Sequence, residues 1–301
     1  MDFTLHQLAI FGTVAELSSV TKAAEKLHMT QPAVSIQLKR LQESVGMPLI
    51  EITGRKLYLT EAGNALYEVY ESYKERMETF EATISQLRGG LKGQLSISAA
   101  STAKYYLPYL LGEFQRRYPQ INVSLKVTNR NQVLQHLENN EYQLAILTQI
   151  PDDPKYQAIP FLENPLVMGA PPGHRLTGEK CIPLEELKEE SYVFREMGSG
   201  TRMVMERILA EKQIRPRIAM ELGTNEAVKQ AIMAGIGISL ISRLSLKTEL
   251  PMGKIQILDV EGLPFTNHWH LVFKKNRLLS PVFQNFREFL KTESLEAILD
   301  Y

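Results

Sequence analysis

The sequence predicts an α/β protein made of a short N-terminal helical module, one long helix and two α/β lobes. Three observations support this prediction. Helix and turn signals crowd residues 1–60, an apolar stripe repeats every three or four residues between 66 and 87, and strand and helix patterns alternate after residue 93. The 301 residues are enough for roughly two or three domains with ample core.

The N-terminal module is predicted to begin with a helix over residues 2–15 and to continue with two short helices joined by a tight turn. Ala23 and Ala24 give the first short helix a small apolar face that allows close helix packing. Thr30 is placed to cap the next helix, and Pro32 lies in its first turn. A short polar helix of this kind fits the major groove of DNA. The candidate DNA contacts in these helices are Thr21, Thr30, Gln31, Pro32, Ser35, Gln37, Lys39 and Arg40.

A small wing is predicted directly behind the helix pair. Residues 50–60 have the pattern of a strand, a turn and a second strand, with Arg55 and Lys56 at the tip. Cations beside a groove-binding helix supply the phosphate contacts that dominate affinity for DNA. The alternative for the helices alone is an ordinary helical hairpin with a solvated face, and the cationic wing favours a winged helix-turn-helix.

A long helix is predicted over residues 62–91, because this segment has no Pro and, after Gly63, no Gly before Gly89 and Gly90. Its apolar positions form a narrow heptad-like stripe, which is typical of a helix that pairs with a partner. Docking on its own domain is the alternative. The segment Gly89–Gly93 is the predicted interdomain hinge. The stripe consists of Leu66, Tyr70, Tyr73, Met77, Phe80, Ile84 and Leu87.

The rest of the chain alternates strands and helices, which implies parallel strands in two lobes. The last strand and helix could return to complete the first lobe, so that the chain crosses twice between lobes. Strands are predicted at 94–99, 122–127, 144–147, 166–170, 192–195, 218–222, 238–241 and 268–274, and helices at 102–118, 131–139, 183–187, 201–212, 226–233 and 281–292.

A ligand cleft is predicted where strands end and helices begin, because open α/β sheets bind ligands beyond the carboxyl ends of their strands. Successive N–H groups in a glycine-rich turn, together with arginines, favour an anionic ligand. Each group has a structural alternative as a helix cap, a tight turn or a surface ion pair. The candidate effector contacts are Ser101, Thr102, Thr128, Asn129, Arg130, Thr148, Arg195, Glu196, Gly198, Ser199, Gly200, Thr201, Arg202, Thr224 and Asn225.

The segment Leu5–Gly63 resembles the winged helix-turn-helix of LysR-type transcriptional regulators. The family often has Arg where this chain has Ile36 and Ile52. The resemblance implies operator DNA as a partner, a homodimer through the long helix with further assembly to a tetramer, and an effector domain built like a periplasmic binding protein. The matching segments are Ala23–Leu27, Thr30–Ser35, Leu38–Leu41, Gly46–Leu49 and Leu59–Gly63.

The C-terminal part resembles the branch of this family that controls RuBisCO operons. That branch implies a small phosphorylated or nucleotide metabolite as effector. The resemblance also sets the expected domains: winged helix-turn-helix 1–60, linker helix 61–90 and effector domain 91–301, with one lobe at 93–163 and 267–301 and the other at 164–266. The matching segments are Ser101–Tyr106, Gly198–Arg202, Asn225–Gly235, Val260–Pro264 and Leu279–Pro281.

Several other classes are not favoured. The single cysteine, Cys181, fits a reducing compartment, and the N-terminus shows no signal peptide, so a cytoplasmic location is expected. Formal net charge is zero, so any basic surface must be local. No zinc spacing, membrane-spanning run or enzyme motif is present, so we expect no metal, cofactor, membrane or catalysis. A two-lobed enzyme and an exported solute-binding protein are the remaining alternatives.

Overall fold

The computed structural model describes residues 2–54, 56–88, 90–276, 279–292 and 295. The chain forms two compact units, Met1–Thr83 and Ile84–Tyr301. The first unit is built from the helices α1 (Leu5–Leu17), α2 (Val20–Lys26) and α3 (Gln31–Val45), the strands β1 (Ile50–Thr53) and β2 (Lys56–Leu59), and most of the helix α4 (Glu61–Leu87).

The helix α1 begins at Leu5, three residues later than the sequence predicts, because Thr4 caps it. The Thr4 hydroxyl accepts a hydrogen bond from the Gln7 N–H at 3.2 Å, and the Gln7 side chain accepts one from the Thr4 N–H at 2.9 Å. The first three helices surround one core, to which α2 contributes the small buried side chains Ala23 and Ala24 and the partly buried Val20. The buried members of this core are Ile10, Phe11, Val14, Ala23, Ala24, Val34, Leu38, Leu41 and Leu49.

Thr30 caps α3 as predicted, since its hydroxyl accepts a hydrogen bond from the Ala33 N–H. Gly46, in the left-handed region at φ 80°, ends the helix. The strands β1 and β2 then pair antiparallel from Ile50 opposite Leu59 to Thr53 opposite Lys56. This is the predicted wing; Arg55, one of its two expected cations, lies outside the described residues.

The 27-residue helix α4 is fixed to the first unit near its start. A Cβ atom on Gly63 would lie 2.0 Å from the Leu49 carbonyl oxygen, so only glycine permits this approach. The Tyr70 ring covers Gly12, and its hydroxyl donates to Glu16 at 3.3 Å. Farther along the helix, Phe80 of the predicted stripe is 57% exposed. The stripe therefore packs on its own unit at Tyr70 and leaves apolar side chains exposed toward its end.

The second unit contains the strands β3 (Gly93–Ala100), β4 (Ile121–Thr128), β5 (Leu144–Leu147), β6 (Tyr156–Ala170), β7 (Ser191–Arg195), β8 (Arg217–Leu222), β9 (Ser239–Ser242), β10 (Gln256–Leu258) and β11 (Phe265–Lys274). Its α-helices are α5 (Leu107–Arg117), α6 (Arg130–Glu138), α7 (Gly200–Glu211), α8 (Asn225–Met233) and α9 (Pro281–Thr292). Within the described residues, one seven-stranded sheet has the order β10-β6-β11-β5-β3-β4, with β9 also paired to β6, and β7 and β8 form a separate parallel pair.

The strands β6 and β11 join the two lobes. The start of β6 pairs with β11, which also pairs with β5 of the first lobe, and the end of β6 pairs with β9 and β10. The last strand therefore returns to the first lobe. Because β6 and β11 run antiparallel to their neighbours, the sheet is mixed rather than wholly parallel. Sequence patterns placed the start of β6 too late, because Pro160 and Pro165 are typical strand breakers.

The predicted helix over residues 102–118 is broken. A 3₁₀ turn covers Ser101–Tyr105, and α5 begins at Leu107. Pro108 is the physical reason, since proline lacks an N–H and is tolerated in the first turn of a helix but not in its interior. The strand β10 was missed because its three residues are too short to show a period.

Candidate functional sites

The outer face of α3 carries most of the predicted DNA contacts. Thr30, Gln31, Pro32, Lys39 and Arg40 are exposed, while Ser35 and Gln37 are partly buried. The Gln31 amide donates to the Ser35 hydroxyl at 3.0 Å, and the Gln7 amide donates to Gln37 at 3.2 Å. These bonds orient two polar side chains on the same helix without using all their hydrogen-bonding groups.

Two further predicted DNA contacts lie on other elements of the first unit, Thr21 on α2 and Lys56 on β2, and both are exposed. Lys39 has only a loose pairing with Glu43 at 3.9 Å on the surface, so its charge is available to phosphates. Ile36 and Ile52 are also exposed, 52% and 67%, at the positions where the family often has Arg.

A cavity in the second unit gathers loops that follow four different strands. Ser101 and Thr102 follow β3, Asn129 and Arg130 follow β4, and Thr148 follows β5. The rest of the predicted lining comes from the end of β7, the loop after it and the start of α7, namely Arg195, Glu196, Ser199, Gly200 and Thr201. The cavity volume is about 20 Å³, which is room for little more than a water molecule.

The amino end of α7 opens into this cavity through Ser199, Gly200 and Thr201. In the described part of the chain, the Ser199 side chain makes no capping hydrogen bond, and the first hydrogen bond that closes the helix runs from the Met203 N–H to the Ser199 carbonyl. The N–H groups of the first turn are therefore open to a ligand. Such groups and the helix dipole favour an anion.

Arg130 brings positive charge to the same cavity. Its Nε donates to the Gln149 carbonyl at 3.2 Å, and no carboxylate among the described residues forms an ion pair with it. Burial lowers the pKa of the Arg130 guanidinium, because the charged form loses hydration that no acidic partner replaces. An anion in the cavity would supply that missing partner.

Arg195 and Glu196 are paired with each other. Arg195 is only 3% exposed, and its Nε and Nη2 lie 2.7 Å and 2.9 Å from the two Glu196 carboxylate oxygens. The other Arg195 donors bind the Ser101 hydroxyl and the Asn225 side-chain oxygen, each at 2.9 Å. The Asn129 amide donates to Glu196 at 2.6 Å. This polar network bridges the two lobes.

Five predicted residues do not line the cavity. The Thr128 hydroxyl donates to Gln132, and Thr224 caps α8. The Asn225 side-chain oxygen accepts a hydrogen bond from Arg195, which itself lines the cavity. Gly198 has φ 82°, and a Cβ there would lie 2.4 Å from the Asn131 amide nitrogen, so it allows a close approach of the loop. Arg202 is held elsewhere by Glu206, Glu221 and the Arg195 carbonyl.

Sequence reasoning missed lining residues on the strands that join the lobes. Asn164 of β6 and Trp269 of β11 line the cavity, and both are buried. The indole N–H of Trp269 has no hydrogen-bond partner among the described residues, which leaves a donor unused. Trp269 is the single tryptophan of the chain. The signals available in the sequence were Asn164 directly before Pro165 and the single occurrence of tryptophan. Ala100 and Leu147 complete the lining.

Comparisons with known proteins identify the class to which this fold and these sites belong. Residues 5–64 match the family described as bacterial regulatory helix-turn-helix protein, lysR family, and residues 88–294 match the LysR substrate binding domain. The chain belongs to the LysR family of transcriptional regulators, which are DNA-binding proteins with an effector-binding domain, and it is not an enzyme.

Relatives within the family confirm the RuBisCO-operon branch. The chain is 43% identical over 287 residues to the transcriptional activator CmpR of Synechocystis, with 95% of this chain and 94% of that protein covered. It is 40% identical over 294 residues to the RuBisCO operon transcriptional regulator of Allochromatium vinosum, with 98% and 97% covered.

Solved structures share the fold. The regulatory domain of Synechocystis CcmR, in complex with 2-PG, is 40% identical with a TM-score of 0.63, covering 65% of this chain and 95% of that one. Full-length CbnR with its target DNA has a TM-score of 0.64 at 24% identity, covering 97% and 99%, and shows the shared fold alone. No helix in the described part of the chain is long and apolar enough to cross a membrane.

Proposed function

We propose that the cavity between the lobes takes a small phosphorylated metabolite and that its occupancy alters how the regulator binds operator DNA. The observation that carries this proposal is Arg130, a desolvated guanidinium without an ion-pair partner in the described residues. It lines the same cavity as the open amino end of α7 and the hydroxyls of Ser101 and Thr148. Cation, free N–H groups and hydroxyls together suit a phosphate.

The relatives suggest which phosphate to test first. Synechocystis CcmR, whose regulatory domain is 40% identical to this chain, binds 2-phosphoglycolate. 2-Phosphoglycolate carries the phosphate group that Arg130 and the open amino end of α7 would bind. We therefore take 2-phosphoglycolate as the first candidate effector.

For the DNA side, we propose that α3 enters the major groove and that the wing contacts the backbone. Ser35, Gln37 and Arg40 would face base edges or adjacent phosphates, while Lys56 and Arg55 would bind phosphates. The exposed apolar end of α4 would pair with a second copy, and two such dimers would form the tetramer. The protein would work in the cytoplasm, on the nucleoid.

Isothermal titration of the full chain with 2-phosphoglycolate tests the effector site. Arg130→Gln should weaken binding by roughly 10- to 100-fold, because hydrogen bonds to charged groups contribute about 1.5–3 kcal/mol. Arg116→Gln is the matched control, since Arg116 pairs with Glu113 on the surface of α5 and its side chain is 69% exposed. Gel shifts on operator DNA with and without the ligand give the second readout. Equal binding by both variants would refute the role of Arg130.

A further inference from the structure

The carboxylate of Glu196 lies where a ligand anion is expected. Glu196 follows β7 on the second lobe and lines the cavity. Its two oxygens take the Nε and Nη2 donors of Arg195 at 2.7 Å and 2.9 Å, and one of them also accepts from Asn129 of the first lobe at 2.6 Å. A bound phosphate or carboxylate that bridged the lobes would use these same donors.

The other N–H donors of Arg195 are also hydrogen-bonded within the protein. Nη2 also donates to the Ser101 hydroxyl, and Nη1 donates to the Asn225 oxygen. The edge formed by Nε and Nη2 is the side of a guanidinium that binds an oxyanion through two parallel hydrogen bonds. In this structure the chain's own carboxylate occupies that edge.

We propose that Glu196 is a built-in competitor that holds the anion position of Arg195 and Asn129 until the effector's phosphate displaces it. This inference rests on the proposed function of the cavity. Displacement makes the site selective, because a ligand must bind Arg195 and Asn129 more strongly than the well-oriented Glu196 carboxylate does. A dianionic phosphate with further contacts to Arg130 and the amino end of α7 can do so, whereas a simple monocarboxylate cannot.

The local backbone allows the side chain to leave without unfolding the loop. The Glu196 N–H donates to the Leu222 carbonyl at 3.0 Å, and the Ser199 N–H donates to the Glu196 carbonyl at 3.2 Å. The main chain is thereby fixed on both sides. The Glu196 side chain is 23% exposed and borders solvent, so rotation about its own bonds takes the charge into water rather than into the core.

The test is isothermal titration of the full-length protein with inorganic phosphate and with 2-phosphoglycolate. Glu196→Gln keeps the size of the side chain and removes its charge, and it should tighten binding of both probes by about tenfold, because a charge-assisted hydrogen bond is about twice as strong as a neutral one. Glu211→Gln is the control, since it removes the same charge from an exposed position on α7 that is not part of the cavity lining. It should leave affinity within about twofold.

Glu196→Asp is the second variant, because it keeps the charge and withdraws the carboxylate by one methylene; it should also tighten binding, by a smaller factor. Unchanged or weaker binding in both Glu196 variants, or loss of folding in both, overturns the proposal. If the wild type binds neither probe while Glu196→Gln binds phosphate, the competitor is supported and the proposed effector is wrong. If the wild type binds and Glu196→Gln matches Glu211→Gln, the proposed function stands and the competitor fails.

Discussion

Lys229 forms a buried ion pair in the second unit, and we expect breaking this pair to lower the free energy of unfolding strongly. Its ammonium nitrogen lies 2.7 Å from Glu249 Oε1 and 3.1 Å from Glu226 Oε2. The Lys229 and Glu249 side chains are 5% and 11% exposed. The other Glu249 oxygen has no hydrogen-bond partner in the described part of the chain. Replacing Lys229 with Met therefore leaves a buried carboxylate with no compensating charge.

Breaking a buried pair from one side costs about 3–5 kcal/mol, whereas replacing both partners with apolar residues is often neutral. We expect Lys229→Met to fall in that range and Glu249→Leu to cost less, about 1–3 kcal/mol, because Glu226 still pairs with Lys229. For a unit of this size, each kcal/mol lowers Tm by roughly 2–4 °C. Lys229→Met should therefore lower Tm by about 6–20 °C.

Thermal denaturation of the full chain, followed by circular dichroism, measures these costs. The double variant Lys229→Met, Glu249→Leu should recover to within about 1 kcal/mol of the wild type. Lys212→Met is the control, since Lys212 is 48% exposed and lies 3.5 Å from Glu185 on the surface. If Lys229→Met costs no more than Lys212→Met, or if the double variant loses the sum of the single losses, the buried pair does not have the role assigned to it.

Three further predictions concern the two sites and the contacts around them. Ser35→Ala and Lys56→Ala should weaken operator binding with an unchanged Tm, and Lys56→Ala should lower the salt slope of binding by about one, as gel shifts at several salt concentrations would show. Thr102→Val, at a buried cavity position, should reduce the metabolite response more than DNA affinity, measured by titration and gel shift side by side. Burial raises the pKa of Glu226, but hydrogen bonds from Tyr105 and Lys229 outweigh it and leave that pKa below 4.5. The ionised Glu226 therefore stabilises the folded state above pH 4.5, and this stabilisation is lost as pH falls through the lowered pKa. Tyr105→Phe removes one of these hydrogen bonds, so the decrease of Tm at acidic pH should be less steep in thermal denaturation.

The helical module was largely predictable because its signals are local. Thr30, Pro32 and Gly46 fix the two ends of α3 through capping and backbone preference. The strand β6 was harder, because Pro160 and Pro165 argue against a strand in the sequence alone. The fold accommodates Pro160 where the β6–β11 pairing shifts register, because β6 has one extra residue there, between the partners of Trp269 and His270. This pairing depends on a strand about 100 residues farther along the chain, so the local sequence around Pro160 cannot predict it.

The candidate cavity was predictable to the extent that it consists of strand-to-helix turns. Topology alone brings Ser101, Asn129, Thr148 and Thr201 to one place. Side-chain direction within a turn is a different matter. Arg202 lies one position after Thr201, yet Glu206 and Glu221 hold its guanidinium away from the cavity. Both acids were visible in the sequence, but nothing in it ranks an ion pair above a ligand.

The lining of the cavity also limits how a ligand can act on the DNA-binding module. A ligand that touched one lobe only would bind every lobe arrangement equally and shift nothing. In the proposed site, a phosphate would lie between Arg130 of the first lobe and the amino end of α7 in the second, and it would make both contacts only when the lobes are this close. Two charge-assisted contacts supply about 3–6 kcal/mol, close to the roughly 5.5 kcal/mol needed to move an equilibrium from 1:99 to 99:1. Two neutral hydrogen bonds, at about 1 kcal/mol each, fall well short of that figure. Under the proposed function, the charge of the effector would therefore be what shifts the equilibrium between lobe arrangements.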